Sequence, residues 1–179
     1  IRVMNSKIKK IIKKKNKSKI VSLTAYSKNI SKILDKYCDI ILVGDSMANV
    51  LYDQKNTHKI SLEDLIKHTL SVQKGIKKSL LVVDMPKGSY SNTFTALKNA
   101  RIIMKKTNCH AVKLENFKNN YKIINLLVKK KIPVMGHIGF TPQFKRSFRI
   151  EGQSKKEIEK LLKQAKSIEK AGAFSIVLE

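Results

Sequence analysis

Short runs of apolar, mostly β-branched residues alternate with longer lysine-rich amphipathic runs along almost the whole chain of 179 residues. Six of the short runs stay nearly all apolar until their carboxyl ends, as strands buried on both faces of a parallel sheet do. We predict these strands over residues 20–24, 39–43, 80–84, 111–115, 133–137 and 174–179. The alternation therefore predicts repeated βα units and a parallel sheet covered by helices.

Between the strands, apolar residues recur at three- and four-residue spacing, which is typical of amphipathic helices. We predict helices over residues 62–74, 94–106, 121–129 and 155–170. A serine with an acid three residues later predicts an N-cap before two of them, Ser61 with Asp64 and Ser154 with Glu157. Gly75 and Gly172 are expected to adopt the left-handed conformation that ends the same two helices.

Six βα repeats without the linker of a second domain favour a barrel, and no glycine-rich dinucleotide fingerprint follows the first predicted strand. The predicted fold class is α/β, a (β/α)8 TIM barrel. A complete barrel of this kind takes about 250 residues, so we expect this chain to be truncated after the sixth of eight strands. We divide it into a basic N-terminal segment, residues 1–18, which contains a first helix, and the barrel, residues 19–179.

The net charge of +25 raises the question of nucleic-acid binding. Only four of the 38 basic residues are arginine, and the lysines are spread along the whole chain. Nucleic-acid recognition favours arginine interleaved with aromatic residues, and aromatic residues make up only 6% of this chain. We therefore expect no specific nucleic-acid partner, and a polyanion-binding module without catalysis stays as an alternative.

No apolar run approaches the roughly 18 to 20 residues that a membrane-spanning helix requires. The sequence also shows no recognisable export signal. Cys38 and Cys109 lack the spacing of a zinc site. They are expected to be buried reduced thiols in a cytoplasmic protein without a membrane partner.

Acidic residues stand at the carboxyl ends of four of the six predicted strands. Asp45 follows the second strand, Asp84 closes the third, Glu115 closes the fourth and Glu179 closes the sixth. In a (β/α)8 barrel these ends meet at the active-site face. Carboxylates gathered there would repel one another unless a cation neutralised them, so the pattern indicates a divalent metal such as Mg²⁺.

Seven ordered blocks around these acids resemble the ketopantoate hydroxymethyltransferase family. They are SLTAY (22–26), ILVGDS (41–46), DLIKHT (64–69), VVDMPKGSY (82–90), AVKLE (111–115), PVMGHIGFTPQ (133–143) and AGAFSIVLE (171–179). The resemblance implies a barrel like those of phosphoenolpyruvate mutase and isocitrate lyase. It also implies that Asp45 and Asp84 bind Mg²⁺ and contact substrate, with Glu115 supporting the metal, and that Ser46 and Lys113 hold the 2-oxo acid.

The resemblance further implies that Glu179 is the general base, which would need a pKa raised by burial to work near neutral pH. The implied reaction transfers a hydroxymethyl group from 5,10-methylenetetrahydrofolate to 3-methyl-2-oxobutanoate, giving 2-dehydropantoate for pantothenate and coenzyme A synthesis. A homo-oligomer is also implied. Tyr26 and His137 are possible pocket residues, and for both a structural role remains an alternative.

The sequence departs from the family pattern at Ser27, Ala48 and Lys87, and in the segment 144–153, which lacks paired glycines. Since such loops form pocket walls, these departures concern folate binding more than metal binding. Two further alternatives stay open. The protein could be another Mg²⁺-dependent carbon–carbon bond enzyme acting on 2-oxo acids, or an inactive truncated homologue.

Overall fold

The computed structural model describes residues 5–118, 120–145 and 147–179. Within them, six parallel strands form one sheet whose spatial order equals their order in the chain. The strands are β1 (Ser22–Thr24), β2 (Ile40–Val43), β3 (Leu80–Asp84), β4 (Ala111–Glu115), β5 (Val134–Ile138) and β6 (Ser175–Leu178). All six predicted strands are confirmed, with ends that differ from the predicted ones by at most two residues. The expectation of burial on both faces is wrong for β1, which is exposed, and for β6, which is only partly buried, because each lies at an edge of the sheet.

Helices follow the strands in the alternation that the sequence predicts. They are α1 (Ser6–Lys13), α2 (Lys28–Leu34), α3 (Met47–Tyr52), α4 (Leu62–Gln73), α5 (Thr93–Thr107), α6 (Tyr121–Lys129) and α7 (Lys155–Lys170), with a 3-10 helix at Thr57–Lys59. The four predicted helices are α4 to α7. We did not predict α2 or α3, because helices of six or seven residues are too short to show a clear apolar period.

The predicted N-caps are confirmed. Ser61 and Asp64 form a reciprocal capping box at α4, and the Ser154 hydroxyl accepts the backbone N–H of Glu157 at α7. Gly172 follows α7 with φ +100°, which agrees with its predicted role.

The prediction for Gly75 is wrong, since it does not adopt a left-handed conformation. Its lack of a side chain serves packing instead. A Cβ there would lie 2.2 Å from the Ser31 Oγ and 2.5 Å from the Lys28 carbonyl oxygen. Glycine therefore allows α2 to approach the end of α4 closely.

Two apolar clusters surround the sheet. The larger lies between the strands and the helices, and the smaller joins Ile8 and Ile11 of α1 to side chains that include Ile40, Leu80 and Met135. These two isoleucines are buried, so α1 packs against the face of the sheet that carries Ile40, Leu80 and Met135.

Polar contacts show which end of the sheet α1 covers. The Lys7 ammonium donates to the carbonyl oxygens of Lys77 and Ser79, just before β3, and Lys14 pairs with Asp39, just before β2. Helix α1 therefore covers the amino ends of the strands. Their carboxyl ends, where the acids were predicted, lie on the opposite side.

Cys38 and Cys109 are buried free thiols, as predicted, and burial raises the pKa of Cys109 to about 11. No helix in the described residues is both long and apolar enough to span a lipid bilayer.

Candidate active site

Strand register brings the predicted residues together at the carboxyl ends of the sheet. Asp84 of β3 pairs with Lys113 of β4, and Glu115 of β4 pairs with His137 of β5. Asp45 lies two residues beyond the end of β2. All five residues are buried, and Lys113 is the most exposed of them at 6%. The site is therefore assembled mainly from regular strands.

An ion pair lies at its centre. The Lys113 ammonium donates to the Asp84 Oδ1 at 2.7 Å, while the backbone N–H of Asp45 donates more weakly to the Asp84 Oδ2 at 3.3 Å. Burial by itself would lower the pKa of Lys113, but the adjacent Asp84 outweighs burial and the pKa is raised. Lys113 is thus a charged ammonium held against a carboxylate.

Carboxyl groups outnumber ammonium groups in this cluster. Burial and the neighbouring Asp84 raise the pKa of Asp45 to about 7. Burial, opposed by Lys113 and reinforced by Asp45 and Asp84, raises the pKa of Glu115 to about 8. One ammonium therefore faces three carboxyl groups, an arrangement that would favour an added cation.

Gln143, in the loop after β5, forms hydrogen bonds with residues at the ends of three other strands. Its side-chain amide donates to the Asp45 Oδ2 at 2.8 Å and to the Met85 carbonyl oxygen at 3.0 Å. Its backbone N–H donates to the Glu115 Oε2 at 3.0 Å. The loop after β5 is thus fastened to the ends of β2, β3 and β4.

The Tyr90 hydroxyl donates to the Gln143 Oε1 at 2.5 Å, and both side chains are buried. Our sequence reasoning assigned neither residue to the site. Each is the final residue of a block that carried the family resemblance, which is the one signal that pointed to them.

Tyr26 and Ser46 contact each other beside the acidic cluster. Their hydroxyl oxygens are 2.8 Å apart, and both residues are half-buried. Gly44 makes the close packing possible, since a Cβ there would lie 3.0 Å from the Ser46 Oγ and 3.2 Å from the Asp84 Oδ2. Ser46 is therefore held at the edge of the site by Tyr26.

His137 lies between two acids. Its Nε2 is 3.2 Å from the Glu179 Oε2, and its Nδ1 is 3.6 Å from the Glu115 Oε1. The ring is buried, but neither nitrogen is well aligned for a hydrogen bond with another described residue. The shorter contact is thus a close approach of the ring to the Glu179 carboxylate.

The expectation that burial raises the pKa of Glu179 is wrong. Its side chain is 47% exposed at the rim of the site. The contact with His137 outweighs the partial burial and lowers the pKa. Glu179 is therefore ionised at neutral pH.

Among residues 5–118, 120–145 and 147–179, no group of three histidine, cysteine or acidic side chains is placed to hold a metal ion together. Glu115 is engaged by the Gln143 backbone N–H, whereas Asp84 lies next to Asp45 and accepts the Asp45 backbone N–H. A cation here would rely on the two aspartates as protein ligands, a number that suits Mg²⁺.

A cavity of about 480 Å³ opens between the ends of β4 and β5 and helix α7. Phe117 and Phe144 stack face to face on its wall, with ring centroids 4.0 Å apart. The segment after Gln143, which departs from the family pattern, supplies Phe144, Lys145 and Arg149 to the lining.

Comparison with known sequences identifies close relatives. The family model described as ketopantoate hydroxymethyltransferase matches residues 5–179. Proteins named 3-methyl-2-oxobutanoate hydroxymethyltransferase are 53% identical in Pelagibacter ubique, 46% in Clostridioides difficile and 42% in Thermococcus kodakarensis. The matches cover 98%, 90% and 96% of this chain and 68%, 60% and 62% of the respective relatives. The chain thus spans about two-thirds or less of the length of these relatives.

Solved structures share the fold at low sequence identity. Phosphonopyruvate hydrolase, in a complex with oxalate and Mg²⁺, gives a TM-score of 0.72 at 11% identity, covering 98% of this chain and 63% of that one. The 2,3-dimethylmalate lyase, a member of the phosphoenolpyruvate mutase/isocitrate lyase superfamily, gives 0.69 at 12% identity, covering 98% and 64%. These similarities confirm the predicted fold class.

Proposed function

The chain belongs to the ketopantoate hydroxymethyltransferase family. From this membership we propose that the protein is an enzyme that transfers a hydroxymethyl group from 5,10-methylenetetrahydrofolate to 3-methyl-2-oxobutanoate. The observation that carries the proposal is the buried cluster of Asp45, Asp84 and Lys113 at the carboxyl ends of the strands. By family analogy, the enzyme would act in the cytoplasm as a homo-oligomer and supply pantothenate synthesis.

The donor set suits Mg²⁺. Asp45 has one oxygen engaged by Gln143, whereas Asp84 has Oδ1 engaged by Lys113 and Oδ2 in the weaker contact with the Asp45 backbone N–H. The second oxygen of Asp45 and the Oδ2 of Asp84 would hold the ion, with Glu115 reached through water. Mg²⁺ bound there would polarise the keto group of the substrate and acidify its C3–H bond.

Lys113 and Ser46 would hold the 2-oxo acid. Because Lys113 remains charged, its ammonium favours both the substrate carboxylate and the negative charge that develops on the keto oxygen. Ser46, positioned by Tyr26, would donate a hydrogen bond to a substrate oxygen. Burial strengthens these interactions because little water competes for the same groups.

Glu179 would accept the C3 proton. Its lowered pKa keeps it a carboxylate at neutral pH, and its partly exposed side chain at the rim would be accessible to substrate. The electron pair left at C3 would attack the methylene carbon, which the folate holds through two nitrogens. Both carbon–nitrogen bonds would break, and water would supply the hydroxyl oxygen of the product. The two nitrogens would each take up one proton, one from Glu179 and one from that water.

The test is an assay of hydroxymethyl transfer to 3-methyl-2-oxobutanoate with and without Mg²⁺ and with and without the folate. We expect activity to require both, and Asp45→Asn or Asp84→Asn to remove the Mg²⁺-dependent part. Asp53→Asn is the matched control, since Asp53 is exposed after α3. Full activity in both site variants would refute the metal assignment, and turnover without folate would indicate a different 2-oxo acid reaction.

A further inference from the structure

We propose that Gln143, oriented by Tyr90, is a positioning residue that holds Asp45 in place to receive a divalent cation. The inference rests on the proposed function and extends it to two residues with no assigned role. Its basis is the hydrogen-bond chain from Tyr90 through Gln143 to Asp45.

The partners of Gln143 determine the orientation of its amide. Both hydrogens of Nε2 are used, one on the Asp45 Oδ2 and one on the Met85 carbonyl oxygen, and these partners accept hydrogen bonds. A flipped amide would place Oε1 against both acceptors and bring like partial charges together. Tyr90 disfavours the flip further, because its hydroxyl donates to Oε1 in the observed orientation.

Burial makes this arrangement costly to disturb. Gln143 is 1% exposed and Tyr90 is 4% exposed, so a polar group that lost its partner would have little water to replace it. The backbone N–H of Gln143 is also bonded, to Glu115. Each polar group of Gln143 that faces the acids thus has a partner in this cluster.

The chemical nature of Gln143 distinguishes its role from that of Lys113. Lys113 holds Asp84 through a charged ammonium, which offsets the charge of that carboxylate. Gln143 holds Asp45 through a neutral amide, which restricts the side chain without adding a positive charge beside it. Asp45 is therefore fixed in position, and Gln143 brings no positive charge that would repel a cation. Outer groups that orient ligands in this way commonly change metal affinity when they are replaced.

The experiment measures Mn²⁺ binding directly, by the loss of the electron paramagnetic resonance signal of free Mn²⁺, in the full chain without substrate. Gln143→Met keeps the length of the side chain and removes its donors, while the backbone bond to Glu115 remains. Tyr90→Phe removes only the hydroxyl. The matched controls are Gln153→Met and Tyr37→Phe, both at exposed positions.

We expect Gln143→Met to raise the Kd for Mn²⁺ by about 10-fold or more, and Tyr90→Phe by a smaller factor. Because Tyr90 acts through Gln143, the double variant should bind no more weakly than Gln143→Met alone. Thermal unfolding without metal verifies that each variant is folded. The two controls should bind as the unchanged protein does.

Three outcomes would overturn the inference. If the unchanged protein binds Mn²⁺ and folded Gln143→Met binds it equally well, the positioning role fails while the proposed function stands. If the effects of the two substitutions add fully, Tyr90 does not act through Gln143. If the unchanged protein takes up no Mn²⁺, the metal site of the proposed function fails, and this inference fails with it.

Discussion

The ammonium of Lys113 and the carboxylate of Asp84 form a 2.7 Å ion pair between register partners on β3 and β4, and both side chains are almost completely buried. Placing such a pair in the interior is costly, and the cost is offset only while both charges are present. The pair therefore makes the stability of the fold depend on the residues that we propose for catalysis.

Replacing one partner should reveal that dependence. Lys113→Met leaves Asp84 unpaired beside Asp45, and we expect a loss of about 3–5 kcal/mol in the free energy of unfolding, measured in urea without metal. The double variant Lys113→Met/Asp84→Asn should recover much of that loss. Lys129→Met, at an exposed position, is the control. Equal stability of the single and double variants would show that the buried charge is not the cause.

Asp35 should make stability depend on pH at the opposite end of the sheet. Its carboxylate accepts the backbone N–H groups of Lys77, Lys78 and Ser79 at 2.8–3.1 Å. Burial acts to raise its pKa, but these hydrogen bonds outweigh burial and lower it. The resulting stability is present above the ordinary aspartate pKa of about 3.9 and is lost as pH falls through the lowered folded-state value.

We therefore expect Asp35→Asn to reduce the free energy of unfolding at pH 7 by about 1.5–3 kcal/mol. The difference from the unchanged protein should shrink as pH approaches 3. Urea unfolding at several pH values measures both effects. A difference that stays constant from pH 7 to pH 3 would contradict the assignment.

Gly75 should tolerate no side chain. The added methyl group of Gly75→Ala would lie too close to the Lys28 carbonyl oxygen, which belongs to the backbone and cannot rotate away. Such overpacking costs about 1–3 kcal/mol, which thermal unfolding would detect. Lys74→Ala, one residue earlier, is the comparison, and similar melting temperatures for the two variants would argue against the close contact.

Tyr26 should affect substrate binding through Ser46. Tyr26→Phe removes the hydrogen bond to the Ser46 Oγ, worth about 1 kcal/mol, so we expect KM for 3-methyl-2-oxobutanoate to rise by roughly fivefold. Steady-state kinetics with the 2-oxo acid varied at saturating folate would measure the change. Tyr37→Phe is the control, and an unchanged KM in Tyr26→Phe would leave Tyr26 with a structural role only.

Local sequence features account for the order of the strands and helices and for the position of the acidic residues at the carboxyl ends of the strands. A run such as 80–84 is apolar because both faces of β3 are covered, and its last residue, Asp84, reaches the carboxyl end because a strand ends there. Apolar runs and strand length are properties of a few consecutive residues. For that reason the six strands and the positions of Asp45, Asp84 and Glu115 could be predicted without coordinates, whereas the exposure of the edge strand β1 could not.

Contacts between distant segments could be decided only by the tertiary structure. Gln143 meets Asp45 across 98 residues of chain, and Tyr90 meets Gln143 across 53, so no local pattern encodes either contact. The pKa of Glu179 is lowered because the fold places it beside His137, and position in a strand does not reveal that neighbour. The local sequence pattern indicates which residues form strands and helices. The charge state and orientation of a side chain depend instead on which groups the folded chain brings within hydrogen-bonding distance.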